Sequence, residues 1–64
     1  MAVFRSPVEI LELALKKERS SYNFYDGLLN DTKIGFLREF IEDLKEEEGR
    51  HIKRIQKRLD RLGL

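Results

Sequence analysis

Sixty-four residues suffice for one domain and no more, and a chain this short buries only about 60% of its unfolded surface, so a lone hairpin would be marginal. With no cysteine, neither disulfides nor cysteine-based zinc sites can compensate, which leaves association between chains as the remedy. Thirteen Lys/Arg against twelve Asp/Glu give a net charge of only +1 in a chain that is 39% charged, which argues against nucleic acid as the main partner, and no apolar run is long enough for a membrane span.

Met1–Arg5 is too short and poorly built for a secretory signal, so the expected location is the cytoplasm. Ser6-Pro7-Val8-Glu9 is a helix start: Ser6 can cap, Pro7 suits the first helical position, and Glu9 completes a capping box. Helical periodicity runs from about residue 7 to 29. Leu11, Leu15, Glu18, Tyr22, Tyr25 and Leu29 recur at spacings of three and four, the inward seam of a packed helix. Asn30-Asp31-Thr32 reads as the turn, with Asp31 or Thr32 placed to cap the next helix.

The second helix is predicted over about residues 33–62, ending at Gly63. Its seam is Leu37, Ile41, Leu44, Glu48, His51, Ile55, Leu59 and Leu62. The basic last turns (Lys53, Arg54, Lys57, Arg58, Arg61) suit the negative end of the helix dipole. So short a turn makes the helices antiparallel, and residues 1–64 form a single all-α two-helix domain. Phe24 and Leu28 flank the first seam, and Phe36, Phe40 and Ile52 flank the second. One hairpin cannot cover them all, which predicts a wider interface such as a four-helix bundle made by two chains, or a larger ring.

Glu18, Glu48 and His51 are ionisable groups on otherwise apolar seams. A buried carboxylate is costly unless it is paired or bound to a cation. Glu48 and His51 stand three apart, so a helix points both to one side. Singly, each has a plain explanation: a seam glutamate can set register or reach water, and a helix histidine can simply be satisfied. Together they form the inward Glu plus Glu-x-x-His set of di-iron carboxylate bundles. Hard carboxylate oxygens with imidazole suit iron, whereas zinc would recruit cysteine or further histidine. Such a centre takes four carboxylates and two histidines, so two chains are required, with the site on or beside a two-fold axis. Pivoting at Asn30–Thr32 sets Glu18 level with about residue 44, roughly 6–10 Å short of Glu48 and His51. The expectation is therefore that one hairpin closes the group badly and a second chain completes it.

Tyr25 lies two turns after Glu18 on the same face, where its hydroxyl could bond a ligand or intercept an oxidant; it could equally be a core aromatic with a wet tip. Tyr22 reads as core and Glu47 as solvated, with a supporting role beside the metals or on an entry path as its other reading. Gly49, inside a helix, predicts close approach of another backbone.

Glu18, then Phe24-Tyr25-Asp26, a short turn, and Glu47-Glu48-Gly49-Arg50-His51 resemble a rubrerythrin-like half of the ferritin-like superfamily. The two-helix form, with thirty residues from the first glutamate to the second and three more to the histidine, is most similar to the encapsulated ferritins, over about residues 8–62. Further carboxylates flank the first ligand in that family, where this chain has Lys17 and Ser20. The resemblance implies a homodimer forming a four-helix ferritin-like bundle, assembly into a ring such as a decamer, and an encapsulin shell as partner and location. It also implies that Glu18, Glu48 and His51 bind iron beside Tyr25, and that ferrous iron is oxidised by oxygen for storage or detoxification. Two other functions compete: a rubrerythrin-like peroxide reductase, which would normally want a rubredoxin-type centre that needs cysteine, and a metal-free helical oligomerisation module.

Overall fold

The computed structural model describes residues 6–63. The reading of Met1–Arg5, and the terminal residues of the 1–64 domain, lie outside that range. Two helices, α1 (Pro7–Asp31) and α2 (Gly35–Arg61), pack antiparallel. Among the described residues there is no strand, and no helix is long and apolar enough to cross a membrane. The hairpin is a thin slab of 44 × 29 × 13 Å.

The start of α1 follows from its sequence. Ser6 is extended (φ −66°, ψ 157°), its Oγ accepts the Glu9 N–H at 3.1 Å, and Pro7 opens the helix. Glu9 differs from the expected capping box in one bond: its carboxylate accepts the Ser6 hydroxyl at 3.2 Å rather than a backbone N–H.

The turn differs more. α1 runs on to Asp31 and α2 begins at Gly35, so the connection is Thr32–Ile34, not residues 30–32. Thr32 ends α1 instead of starting α2: its hydroxyl donates to the Leu28 carbonyl at 2.6 Å. Arg38, one turn into α2, reaches back and donates to the carbonyls of Leu29 and, at 2.8 Å, Thr32. These donors satisfy carbonyls that the end of a helix leaves open, and so extend α1. Neither Asp31 nor Thr32 caps α2, whose N-cap is Ile34 with no side-chain bond. At the far end Gly63 takes φ +79°, and its N–H bonds the Asp60 carbonyl at 3.1 Å, the expected stop.

The buried core is small: Leu15, Leu29 and Leu59, all seam positions. Leu11, Tyr22, Tyr25, Ile41, Leu44 and Ile55 are half-buried along the same line. Phe24, Phe36 and Phe40 are 61%, 73% and 59% exposed, so most of their apolar area is uncovered. Leu37 and Leu62, on the seam, are also open to solvent.

The hairpin has two unlike faces. At 100° per residue, Ile10, Leu13, Phe24 and Leu28 of α1 fall on the same side as Phe36, Phe40, His51 and Leu62 of α2. On the other side Lys45 pairs with Asp26 at 2.7 Å.

Candidate metal centre

Glu18 comes from mid-α1, and Glu48 and His51 from successive turns of mid-α2. One hairpin brings all three together. His51 Nδ1 lies 3.4 Å from Glu18 Oε2 and 3.8 Å from Glu48 Oε2. One donor atom from each residue lies within 4.8 Å of the others. Donors sharing a first-row metal ion at roughly 2.0–2.2 Å lie up to about 4.4 Å apart, so small side-chain rotations close the set on a cation.

This corrects the expectation that a single hairpin leaves Glu18 roughly 6–10 Å short. The loop is centred on Lys33, two residues later than the sequence suggested, and that sets Glu18 level with Glu48. His51 is three residues beyond that level. Each helical side chain leans toward its own N-terminus, which in an antiparallel pair tips Glu18 and His51 toward each other. The lean closes the remaining offset.

Burial differs across the group. The side chains of Glu18 and Glu48 are 19% and 17% exposed, while His51 is 45% exposed. Glu48 Oε2 is shut off from solvent and, among the described residues, has no hydrogen-bond partner. Such an oxygen costs about 1–3 kcal/mol, more when charged. His51 faces the open, apolar side of the hairpin. There the group borders a groove of about 310 Å³ lined by Leu11, Glu18, His51, Arg54, Ile55 and Arg58.

The neighbouring residues sort differently from one another. Tyr25 is half-buried, and its ring packs edge-on against Phe24 with centroids 5.5 Å apart. Among the described residues it makes no hydrogen bond to the three ionisable groups. Tyr22 lies on the polar side, with Lys45 Nζ 5.2 Å from its ring centre. Glu47 is exposed, as its off-seam position suggested. Gly49 is approached by a side chain rather than a backbone: a Cβ there would sit 3.7 Å from Tyr22 Cε2, an ordinary contact.

Two structural residues escaped the sequence reading. Arg38 clamps the end of α1, and Lys45 joins Asp26 and the face of Tyr22 across the helices. The hydrogen bond from Lys45 to Asp26 holds the ammonium pKa above its usual 10.5. Neither carries a local signal, because on paper both are ordinary charges of a solvated helix.

No curated protein and no solved structure matches the chain. The Rubrerythrin family model matches residues 9–64, which takes in both helices and all three clustered residues. The chain therefore belongs to the Rubrerythrin family of the ferritin-like superfamily, whose domains bind iron and are usually di-iron oxidoreductases.

Proposed function

We propose that the protein is a ferroxidase, oxidising ferrous iron with oxygen at a di-iron site shared by two copies of the chain. The observation that carries this reading is the Glu48 carboxylate, shielded and without a partner in a group that includes Glu18 and His51. A cation would satisfy the orphaned oxygen, and the donor set of two carboxylates and one imidazole suits iron. Iron here is the substrate. Two ferrous ions supply two electrons, and oxygen accepts them with two protons to give hydrogen peroxide.

The residues have separable tasks. Glu18 and Glu48 from each of two copies bring four negative charges, which balance the four positive charges of two ferrous ions. The ferric pair carries two more, and that excess favours departure of the product with hydroxide. His51 adds a neutral nitrogen donor, and its exposure turns it toward the side on which the second copy docks. Tyr25, half-buried two turns from Glu18 on the same helix face, has the proposed task of intercepting stray oxidant.

The exposed Phe36 and Phe40 on the side where His51 opens support completion by a second copy in a four-helix bundle. A ring of such dimers encloses little volume, so ferric product passes to a separate compartment. An encapsulin shell is the proposed host, on the resemblance to encapsulated ferritins.

The test is an anaerobic titration with ferrous iron followed by sedimentation. If ligands come from two copies, iron binds the dimer better than the monomer and shifts the equilibrium toward it. Adding oxygen should then produce ferric iron faster than an equivalent of hydrogen peroxide does. Identical sedimentation with and without iron, at concentrations where the apo-protein dissociates, contradicts the shared site. Faster oxidation by peroxide would make the protein a peroxide reductase instead.

A further inference from the structure

Residues 39–48 of α2 hold Glu39, Glu42, Asp43, Glu46, Glu47 and Glu48 against one base, Lys45. Residues 50–61 hold Arg50, Lys53, Arg54, Lys57, Arg58 and Arg61 against one acid, Asp60. The charge thus reverses at Gly49, in the middle of a 27-residue helix. The helix dipole does not account for this, since its influence fades within the first and last turns and α2 has no acid in its first turn.

The arrangement also costs the isolated chain stability. Glu39, Asp43 and Glu47 succeed one another at spacings of four, and so do Arg50, Arg54 and Arg58. Like charges at that spacing repel along a helix. All six are exposed, and among the described residues none has an ion-pair partner.

We propose that α2 recognises α2 of a second copy in antiparallel register, with the two-fold axis level with Gly49 and the charge reversal as the recognition code. The acidic half of each helix then faces the basic half of the other. Because side chains lean toward their own N-termini, Glu47 meets Arg54 of the second copy and Asp43 meets Arg58 of the second copy. Asp43, Glu47, Arg54 and Arg58 lie within about 60° of one another around α2. Arg54 and Arg58 also line the groove onto which Glu18 and His51 open, so the charged stripe and the ligand group share a face. The matching flank of α1, with Ile10, Ala14, Lys17, Ser21 and Leu28, carries a single charge and cannot complement either half. This register sets the two ligand groups against each other across the axis, and so rests on the reading of a shared site.

The experiment is a charge swap on the metal-free protein, read by sedimentation velocity and circular dichroism. One variant carries Asp43→Lys and Glu47→Lys; the other carries Arg54→Glu and Arg58→Glu. Each alone should self-associate at least tenfold more weakly than wild type, and an equimolar mixture should recover a helical heterodimer. If either variant loses helicity alone, recovery on mixing still supports the code, and a mixture that stays unfolded or monomeric overturns it. Wild-type association should weaken as salt shortens the screening length. Reversed variants that self-associate like wild type refute the register even if the protein oxidises iron. A charge-coded dimer that leaves ferrous iron unoxidised keeps the register and removes the ferroxidase reading.

Discussion

Glu48→Gln separates the stability of the hairpin from its proposed chemistry, because it removes the charge at nearly constant shape. Glu48 Oε2 is shut off from water without a hydrogen-bond partner among the described residues, and His51 Nδ1 is 3.8 Å away. A buried polar group without a partner costs about 1–3 kcal/mol, and the cost is higher for a charge. Glutamine keeps a polar head, so part of that cost remains, but its amide can donate to Glu18 or to His51. The expected gain is about 1–2 kcal/mol for the apo-protein. In a domain of this size that raises Tm by roughly 4–15 °C. Melting should be followed by circular dichroism in chelator at matched chain concentrations, since association itself stabilises. The same variant should oxidise ferrous iron at least tenfold more slowly. An apo-variant that melts below wild type would mean the carboxylate is already satisfied in the folded protein. Wild-type oxidation rates would mean it holds no iron.

Glu18→Ala and His51→Ala should each abolish oxygen-dependent oxidation while leaving the apo-protein helical, because each would remove two ligands from the proposed two-fold site; equal rates in wild type and His51→Ala would end the di-iron reading. Glu47→Gln, off the seam and exposed, should affect oxidation less. Gly49→Ala should stabilise by about 1 kcal/mol in urea unfolding, the usual helix gain over glycine, since its Cβ meets only Tyr22 at 3.7 Å; destabilisation would reveal another chain packed against that spot. Lys45 has its pKa raised by its hydrogen bond to Asp26, so the pair stabilises the fold at neutral pH and that contribution is lost as pH climbs above 10.5 through the raised value. Asp26→Asn should therefore remove part of the alkaline decline in stability, and an unchanged pH profile would show that the pair contributes nothing.

Much of the molecule was legible in the sequence because the relevant physics is local. Ser6 and Pro7 start α1 as read, and Gly63 stops α2 as read, since caps depend on residues within one turn. Leu15, Leu29 and Leu59 are buried where the three-and-four spacing places them. The same spacing put Glu18, Glu48 and His51 on facing seams, and the fold brings them within 4.8 Å. The end of α1 was not legible in this way. Asp31 and Thr32 look like a turn and a cap, yet the donor that prolongs α1 is the Arg38 guanidinium, which arrives from the next helix only once the hairpin has formed. A tertiary bond outweighed a local preference.

Those two bonds from Arg38 change the account of the site. In an antiparallel pair, moving the pivot by two residues shifts the level match by four, which at 1.5 Å per residue is about 6 Å. With the pivot near Asp31, Glu18 has no ligand opposite it and a second chain must supply the whole closure. With the pivot at Lys33, one chain gathers two carboxylates and an imidazole by itself. The role of a second copy changes accordingly. In the proposed dimer it is not needed to assemble the three-residue group; it would double a group already formed, cover the phenylalanines, and supply the second half of a two-metal set. Arg38 lies well away from the ligands, yet Arg38→Ala should loosen the end of α1 and let the register drift. Its effect should therefore appear as weaker ferrous binding as well as a lower Tm, with loss of Tm alone indicating that the register is held elsewhere.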